Sequence, residues 1–579
     1  MGEVVVYRKR RGVELVMLLL AMAIAVAGYL LTDLNSTGEL PGDWAWGVAA
    51  YVAIGLGAHL LIRWRLPYAD PLLLPLVYLL NGLGLAMIHR LDLGTTPVMH
   101  SAELQLTWTA IAVAVFGAVV VLLRDHRRLQ RFPYLMFLAG IAIVMSPIVP
   151  GLGLEKHGAR IWIHLGPYSF QPAELAKIVL SIAFAAYLVE KKEVLALAGA
   201  RVAGIDLPRP RDLGPILLMW LASLAVLIFQ KDLGTTLLFF GLFVMMLYVA
   251  TERPSWALLG AVLFLGGAAL GYRFFGHVRV RVEAWLNPFG DLDQNYQIIQ
   301  AQFGFAWGGL FGTGWGLGRP NLTPLAKNDF IAAALGEELG VTGLMAIIMI
   351  YTLIVARGLR AALAAREPFG KLLAAGLSFV FAIQVFAIIG GVTRLLPLTG
   401  LTTPFLSQGG SSLIANWMML AVLLTITHQV RQPVNQLPAA PVTSLAHDTT
   451  QVIAYPSRTA PATPDSPSSV DATQPMPDVA ANDEPTQAVI ATSDDRTQAV
   501  IAAPDDPTRP GFAATDDQTR PGVTTTDDQT RPGVAANDEP TQAVPRPASP
   551  VGDHAFTVGP DATTVPPDED DTNPRGARP

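Results

Sequence analysis

The chain of 579 residues contains no cysteine, which excludes disulfides, thiolate zinc sites, iron–sulfur clusters and a cysteine nucleophile. It is also short of charge. Only 15 % of its residues are Asp, Glu, Lys or Arg while 51 % are hydrophobic, and its mean hydropathy of +0.41 lies far above what a soluble domain needs to fill a core. A soluble enzyme is all but excluded. Lysine is missing altogether from residues 433–579, where 22 acidic residues face 8 arginines. That stretch therefore carries −14 within a chain of net −6, which leaves +8 on residues 1–432. Two physically different objects share one chain.

What is present in the first object is a succession of uncharged apolar runs of about 18 to 25 residues, the length a helix needs to cross a hydrocarbon core of roughly 30 Å. Twelve occur, near 13–32, 47–64, 71–89, 106–123, 133–150, 174–189, 213–230, 233–250, 255–275, 330–356, 371–392 and 407–428. The expected fold class is an all-α polytopic integral membrane protein with about 12 transmembrane helices and a disordered C-terminal tail. The expected organisation is a basic N-terminus over 1–12, a transmembrane domain over 13–432 and a tail over 433–579. The first run follows Arg8, Lys9, Arg10 and Arg11 and lacks a small-residue cleavage site, so it reads as an anchor rather than a removed signal peptide. The positive-inside rule orients the spans. With a cytoplasmic N-terminus the inner connections hold Arg63 and Arg65, then Arg124, Arg127, Arg128 and Arg131, then Lys191, Lys192, Arg201, Arg209 and Arg211, and later Arg253, Arg357, Arg360, Arg366 and Lys371. Both termini are then expected in the cytoplasm of a multi-pass protein of the plasma membrane, and the long connection over about 276–329 outside. Nucleotides are cytoplasmic, so the glycine run Gly312, Gly314, Gly316, Gly318 reads as close packing or a re-entrant turn rather than a phosphate loop.

After Arg431 and Gln432 the composition shifts to Pro, Ala, Thr and Asp with almost no aromatics, which cannot bury enough surface to offset ordering. A unit with one threonine behind two acids recurs about every eleven residues, for example DDQTRPG at 516–522 and again at 527–533. The plain reading is a solvated spacer. The sharper one makes Thr486, Thr497, Thr508, Thr519, Thr530 and Thr541 targets of a Ser/Thr kinase, read by a phosphothreonine-binding protein.

Polar residues at membrane depth are costly and so are functional candidates. Four segments hold them. GARIWIHLGPYSFQPAELAKI, from Gly158 to Ile178, leads into a helix whose Glu174 and Lys177 share a face, with Arg160 open to an anion. His157 and His164 flank that arginine without a third ligand at metal spacing. QKDLGTT, from Gln230 to Thr236, sets Asp232 at a turn, as a helix cap or as a site residue. The long outer connection carries Tyr296, Trp285, Trp307 and Trp315, an interfacial platform, then Lys327, Asn328 and Asp329 before an apolar helix. Asp329 is there a helix cap or a catalytic carboxylate, and at least one of Glu337 and Glu338 should pair internally. TRLLPLTGLTTPFLSQGGSS, from Thr393 to Ser412, combines Arg394 with the hydroxyls of Thr399, Thr402, Thr403, Ser407, Ser411 and Ser412 around Gly409 and Gly410, able to offer N–H and O–H donors to phosphate or sugar.

These segments in this order resemble the SEDS family (shape, elongation, division and sporulation), and within it the RodA and FtsW group, over about residues 70–430. The specific strings are GARIWI…FQPAELAK, QKDLGT, RV…WLNP with YQIIQ, NDFI…GEELG and PLTGLTTPFLSQGGSS. Ala69 to Asp92 and the two additional N-terminal spans look like actinobacterial RodA-type members. The resemblance implies a peptidoglycan glycosyltransferase that polymerises lipid II on the outer membrane face, for cell elongation and shape or for division, with a class B penicillin-binding protein as partner and no nucleic acid, nucleotide or haem. It implies Asp329 as the catalytic carboxylate. Arg160, Glu174, Lys177, Asp232, Gln297, Gln300, Lys327, Arg394, Ser407, Ser411 and Ser412 are the expected substrate-binding or essential polar residues. A divalent cation, Mg or Mn, on Asp329 or Asp232 is the one cofactor to expect. The chain departs from the family pattern at Lys231, at Ala301 after YQIIQ, and at Lys327-Asn328 before the key aspartate. Lys327 beside Asp329 is expected to lower that carboxylate's pKa. A lipid II flippase or a scaffold for synthases are the competing functions.

Overall fold

The computed structural model describes residues 9–433, apart from 41, 43, 96, 97, 157, 158, 167, 196, 197, 203, 204, 211 and 212. The tail, its six threonines, His157 and residues 1–8 lie outside the described residues. Each of the twelve apolar runs is a helix. They are α1 (Arg11–Ser36), α2 (Trp44–Arg65), α3 (Leu73–Leu93), α4 (Ser101–Leu122), α5 (Pro133–Met145), α6 (Pro172–Leu195), α7 (Gly214–Gln230), α8 (Leu233–Thr251), α9 (Pro254–Phe274), α12 (Ile331–Ala364), α13 (Pro368–Val392) and α14 (Gly410–Arg431). Ten of them are long and apolar enough to cross a membrane. The exceptions, α5 and α7, are the shorter apolar helices; the 17 residues of α7 span about 25 Å at a rise of about 1.5 Å per residue.

Proline marks several starts, at Pro133, Pro172, Pro254 and Pro368, because the first turn has no N–H partner to lose. The bundle core is built from α3, α6, α8, α13 and α14, whose apolar side chains form one buried cluster that includes Leu73, Phe184, Phe243, Leu373 and Trp417. Around them α1 lies along α3, α4 along α14, α5 on α6 and α12 on α13. The outer helices leave large apolar side chains exposed, such as Leu135 on α5 and Leu265 on α9, as lipid-facing surfaces require.

Three features are absent from the apolar pattern. A three-stranded antiparallel sheet, β1 (Gly153–Lys156), β2 (Ala159–Leu165) and β3 (Tyr168–Phe170), precedes α6, and a hairpin, β4 (Ala198–Val202) with β5 (Ile205–Pro208), follows it. The long connection is not open loop but holds α10 (Gly276–Leu286) and α11 (Tyr296–Gly308). Third, α12 is two helices. Gly340 stands at φ 71°, ψ −175° inside it, and a Cβ there would meet the Gly312 backbone nitrogen at 2.3 Å, so only glycine fits. The break frees helical N–H and C=O groups, and the segment after α11 satisfies them. Thr313 and Gly314 N–H donate to the Glu337 and Glu338 carbonyls, at 3.0 and 3.1 Å, while Val341 and Thr342 N–H donate to Gly309 and Leu310, at 3.0 and 3.1 Å. The glycine run is thus a turn packed closely against the broken helix, with Gly312, Gly314 and Gly316 at positive φ.

Candidate active site

The polar residues collect at one end of the bundle, where α6, α8, α12 and α14 begin and α1, α3 and α13 finish. The arginines expected in the inner connections, Arg63, Arg65, Arg124, Arg128 and Arg357 among them, lie at the other, with Arg431 at the end of α14. At the polar end the loop between α13 and α14 is the organising element, and two neighbourhoods adjoin it.

The first surrounds Asp329. The residue capping α12 is Phe330, and no side chain caps that helix, so Asp329 is not the cap its position suggests. Its carboxylate accepts no hydrogen bond among the described residues. Asp232 does cap, accepting from Thr235 N–H at 3.0 Å and from the Thr235 hydroxyl at the start of α8, yet it also faces Asp329 closely enough to raise that group's pKa. The cation here is Arg281 on α10. Its Nη1 donates to the Leu398 and Thr399 carbonyls at 3.2 and 2.9 Å. Between acid and base sits Gly400, at φ 75°; a Cβ there would lie 3.9 Å from Asp329 Oδ2 and 3.7 Å from Arg281 Nη2. Burial pushes the Asp329 carboxyl up to about 6, Arg281 opposing and Asp232 adding to the rise. Burial also raises Asp232, against its two Thr235 hydrogen bonds and Arg281. The expected depression of Asp329 by Lys327 is therefore overturned. The Lys327 ammonium turns away to pair with Asp92 and to donate to Ser101 Oγ at 3.2 Å. Main-chain bonds fix the segment all the same: Gln408 N–H donates to the Lys327 carbonyl at 2.8 Å, and the Ser407 hydroxyl donates to the Asn328 carbonyl.

The second neighbourhood is buried. Glu174 and Lys177 pair at 2.6 Å, with side chains 5 % and 1 % exposed, deeper than an interfacial ion pair. Lys177 Nζ also donates to Gln384 Oε1 and Asn416 Oδ1, each at 2.9 Å. Gln384 Nε2 donates to the Thr402 carbonyl at 2.9 Å. Ser412 joins through Thr402 Oγ1 at 2.9 Å and Asn416 Nδ2 at 3.2 Å.

The remaining expected site residues divide. Arg160 is on β2, exposed and paired with Glu155 at 2.9 Å, so it is not the free anion receptor the motif suggests. Arg394 donates to the Trp285 carbonyl at 3.0 Å and takes the Trp285 indole N–H on its own carbonyl at 2.9 Å, a brace between the loop and α10. Ser407 is a turn residue, its oxygen accepting from Thr403 N–H at 2.9 Å. Ser411 is buried at the start of α14, and Gln297 and Gln300 are half-buried on α11. Of the acidic pair on α12, Glu338 is held by Arg90 Nε at 3.0 Å and Gly316 N–H at 2.9 Å, and Glu337 by Arg319 N–H at 2.6 Å. The residues that motif reading passes over are Arg281, Asp92, Arg90, Gln384 and Asn416, while Thr402 is one of the loop hydroxyls it names. For Gln384 and Asn416 the signal is present, a lone amide within an apolar run.

No group of three or more Asp, Glu or His residues able to hold a metal ion exists among the described residues. The unencumbered Asp329 carboxylate could supply one protein ligand to a cation that a substrate's phosphates otherwise surround, a usual arrangement for Mg²⁺.

The family model described as Cell cycle protein (FtsW, RodA, SpoVE) matches residues 71–432. The protein named peptidoglycan glycosyltransferase RodA of Mycobacterium tuberculosis is 49 % identical over 443 residues, covering 75 % of this chain and 94 % of that one. Its namesake in Mycobacterium leprae is 48 % identical over 439 residues, covering 74 % and 93 %. A solved structure described as "Structural coordination of polymerization and crosslinking by a peptidoglycan synthase complex" is similar at a TM-score of 0.50 and 25 % identity, over 63 % of this chain and 99 % of that one. The chain belongs to the FtsW/RodA/SpoVE family of cell cycle proteins and is a multi-pass membrane protein.

Proposed function

We propose that the protein is a peptidoglycan glycosyltransferase that polymerises lipid II into glycan strands. The observation that carries this reading is the state of Asp329: half-buried, accepting no hydrogen bond among the described residues, raised to about 6, and facing Arg281 across Gly400. A general base is most effective when its pKa lies near the working pH. In the proposed step the 4-hydroxyl of the acceptor sugar gives its proton to Asp329 Oδ while its oxygen attacks the anomeric carbon of the donor strand. The bond to undecaprenyl pyrophosphate breaks with its electron pair going to the leaving phosphate. Displacement from an α-linked donor gives a β-linked product. The leaving group needs charge stabilisation more than protonation, which usually supplies the largest part of the acceleration. Arg281 supports that role better than Lys177 or Lys327, whose ammonium groups are committed to Glu174 and Asp92. A divalent cation held by Asp329 and substrate oxygens would supply further neutralisation.

Orientation belongs to the same proposal. The positive-inside rule applied to the arginine-rich end puts that end and both termini in the cytoplasm and Asp329 at the outer face. Gathering of the motif-bearing polar clusters at the Asp329 end, not at mid-depth, favours a polymerase over a flippase or scaffold. A class B penicillin-binding protein is the proposed transpeptidase partner, and the six tail threonines are proposed kinase substrates, tested by phosphopeptide mass spectrometry. The deciding experiment feeds fluorescent lipid II and a divalent cation to purified protein, alone and with that partner. Glycan ladders that vanish in Asp329→Ala support the reading. No ladder from wild type with the partner present refutes it, and a ladder that survives in Asp329→Ala refutes the assigned base.

A further inference from the structure

We infer that Glu174 and Lys177 are positioning residues that act on the site through the loop Leu398–Thr403, with Gln384, Asn416, Thr402 and Ser412 completing a closed hydrogen-bond ring. Its catalytic readout rests on the glycosyltransferase reading; its structural readout does not.

An ammonium has three N–H donors and no more. At Lys177 they go to Glu174 Oε2, Gln384 Oε1 and Asn416 Oδ1, at 2.6, 2.9 and 2.9 Å, and the residue is 1 % exposed. No donor is left for a substrate phosphate. The charge instead dictates the orientation of two amides, because each must turn its oxygen to the ammonium and so present its NH₂ elsewhere. Asn416 presents Nδ2 to Ser412 Oγ at 3.2 Å. The Ser412 hydroxyl lies 2.9 Å from Thr402 Oγ1, which lies 3.3 Å from Glu174 Oε1; with Asn416 donating, the protons run Ser412 to Thr402 to Glu174 and the ring closes. Gln384 presents Nε2 to the Thr402 carbonyl at 2.9 Å. Thr402 is therefore gripped at both its hydroxyl and its carbonyl. Two residues upstream is Gly400, the spacer between Asp329 and Arg281, and Arg281 grips the loop from the opposite side at the Leu398 and Thr399 carbonyls. The gap between acid and base is thus set by a loop clamped at two points, one of them commanded by the charge on Lys177.

The test uses full-length protein in nanodiscs, with Gln384→Glu and Thr402→Val as variants. Gln384→Glu keeps the oxygen facing Lys177 and replaces the donor to the Thr402 carbonyl by an oxygen. Thr402→Val removes the hydroxyl alone and guards against loss of fold in the first variant. The expected result is hydrogen exchange of the 398–403 amides faster by roughly tenfold, the worth of about one hydrogen bond. With it, kcat falls by a similar factor while KM for lipid II stays within about twofold, and the acid limb of the pH–rate profile moves. Unchanged exchange with raised KM and retained kcat would overturn the inference and make these residues substrate contacts. Faster exchange in protein whose wild type forms no glycan would refute the glycosyltransferase reading and leave the clamp standing.

Discussion

Lys177 and Asp329 stand at the same end of the bundle, adjoin the same loop, and are treated in opposite ways. Around the lysine every donor is matched, and the partners Glu174, Gln384 and Asn416 come from α6, α13 and α14. Around the aspartate nothing is matched: its oxygens take no hydrogen bond among the described residues, and its cation is held off by a glycine. A folded protein satisfies its buried polar groups wherever it can. A satisfied ion in the core is therefore evidence of construction, and an unsatisfied one at its edge is evidence of use. The comparison predicts different responses to removal of the two charges.

The largest effect is expected at Asp329. Replacement by Asn keeps the volume and removes the base, so polymerisation should fall by roughly 10²- to 10⁴-fold. Stability should move the other way. The carboxyl's native pKa, about 6, lies above its ordinary 3.8, so the folded state binds the proton more tightly than the unfolded chain. The sign follows: stability declines as pH rises from about 4 to 6 and the penalty is complete above that window. Asp329→Asn should therefore be more stable than wild type at pH 8, by up to about 3 kcal/mol, with the advantage gone near pH 4. Equal melting at both values would break the comparison.

Lys177 should behave inversely. Lys177→Met leaves Glu174 buried without its partner, which costs about 3–5 kcal/mol, and the variant should melt lower at neutral pH. The paired change Glu174→Gln with Lys177→Met removes both charges and should recover most of that loss. A double variant no better than the single one would show that the ring of amides and hydroxyls, not the charge pair, holds the second neighbourhood.

Gly400→Ala comes next. The backbone there is left-handed, which costs a residue with a Cβ roughly 1–2 kcal/mol, and the methyl enters the gap between Asp329 and Arg281. The protein should still fold, with activity reduced by about tenfold or more and the acid limb of its pH profile displaced. Wild-type activity in this variant would mean that substrate does not use the gap.

Much of this layout is legible in the sequence because membranes impose a simple code. A length of about twenty apolar residues is enough to mark a helix, and all twelve runs are helical. Charges within such runs or at their very edge stand out, which is why Glu174, Lys177 and Glu338, inside runs, and Asp232 and Asp329, immediately before them, can be named before any fold is known. What the code does not carry is partnership across the chain. Arg281 is one of three arginines from Arg273 to Arg281, and nothing local says that Arg279 turns back to the Arg273 carbonyl while Arg281 reaches Leu398. Lys327 looks like a neighbour of Asp329 because it is two residues away, but side chains two apart point in different directions, and its partner Asp92 is 235 positions distant. The break at Gly340 is hidden for the same reason: the apolar pattern runs through it, and the groups that satisfy it come from Gly309 to Gly314.

The smallest expected effect tests whether the unsatisfied region is braced from outside the family-matched residues. Helix α1 precedes residue 71, where the match begins, yet it keys into the glycine-rich turn. The Trp315 indole N–H donates to Thr32 Oγ1 at 2.8 Å, Asn35 Nδ2 donates to the Trp315 carbonyl at 2.7 Å, and the indole packs where a Cβ on Gly28 would come within 3.5 Å. The next residue, Gly316, donates its N–H to Glu338, in the first half of the helix that Asp329 precedes. Trp315→Phe keeps an aromatic ring and loses one hydrogen bond, worth about 1 kcal/mol. Exchange of the 309–318 amides should quicken by a few-fold and turnover should fall by less than that, because Arg90 still holds Gly318 and Glu338 at 2.7 and 3.0 Å. A loss of turnover as large as that of Gly400→Ala would mean that the brace, and with it α1, sets the position of Asp329 as strongly as the loop does.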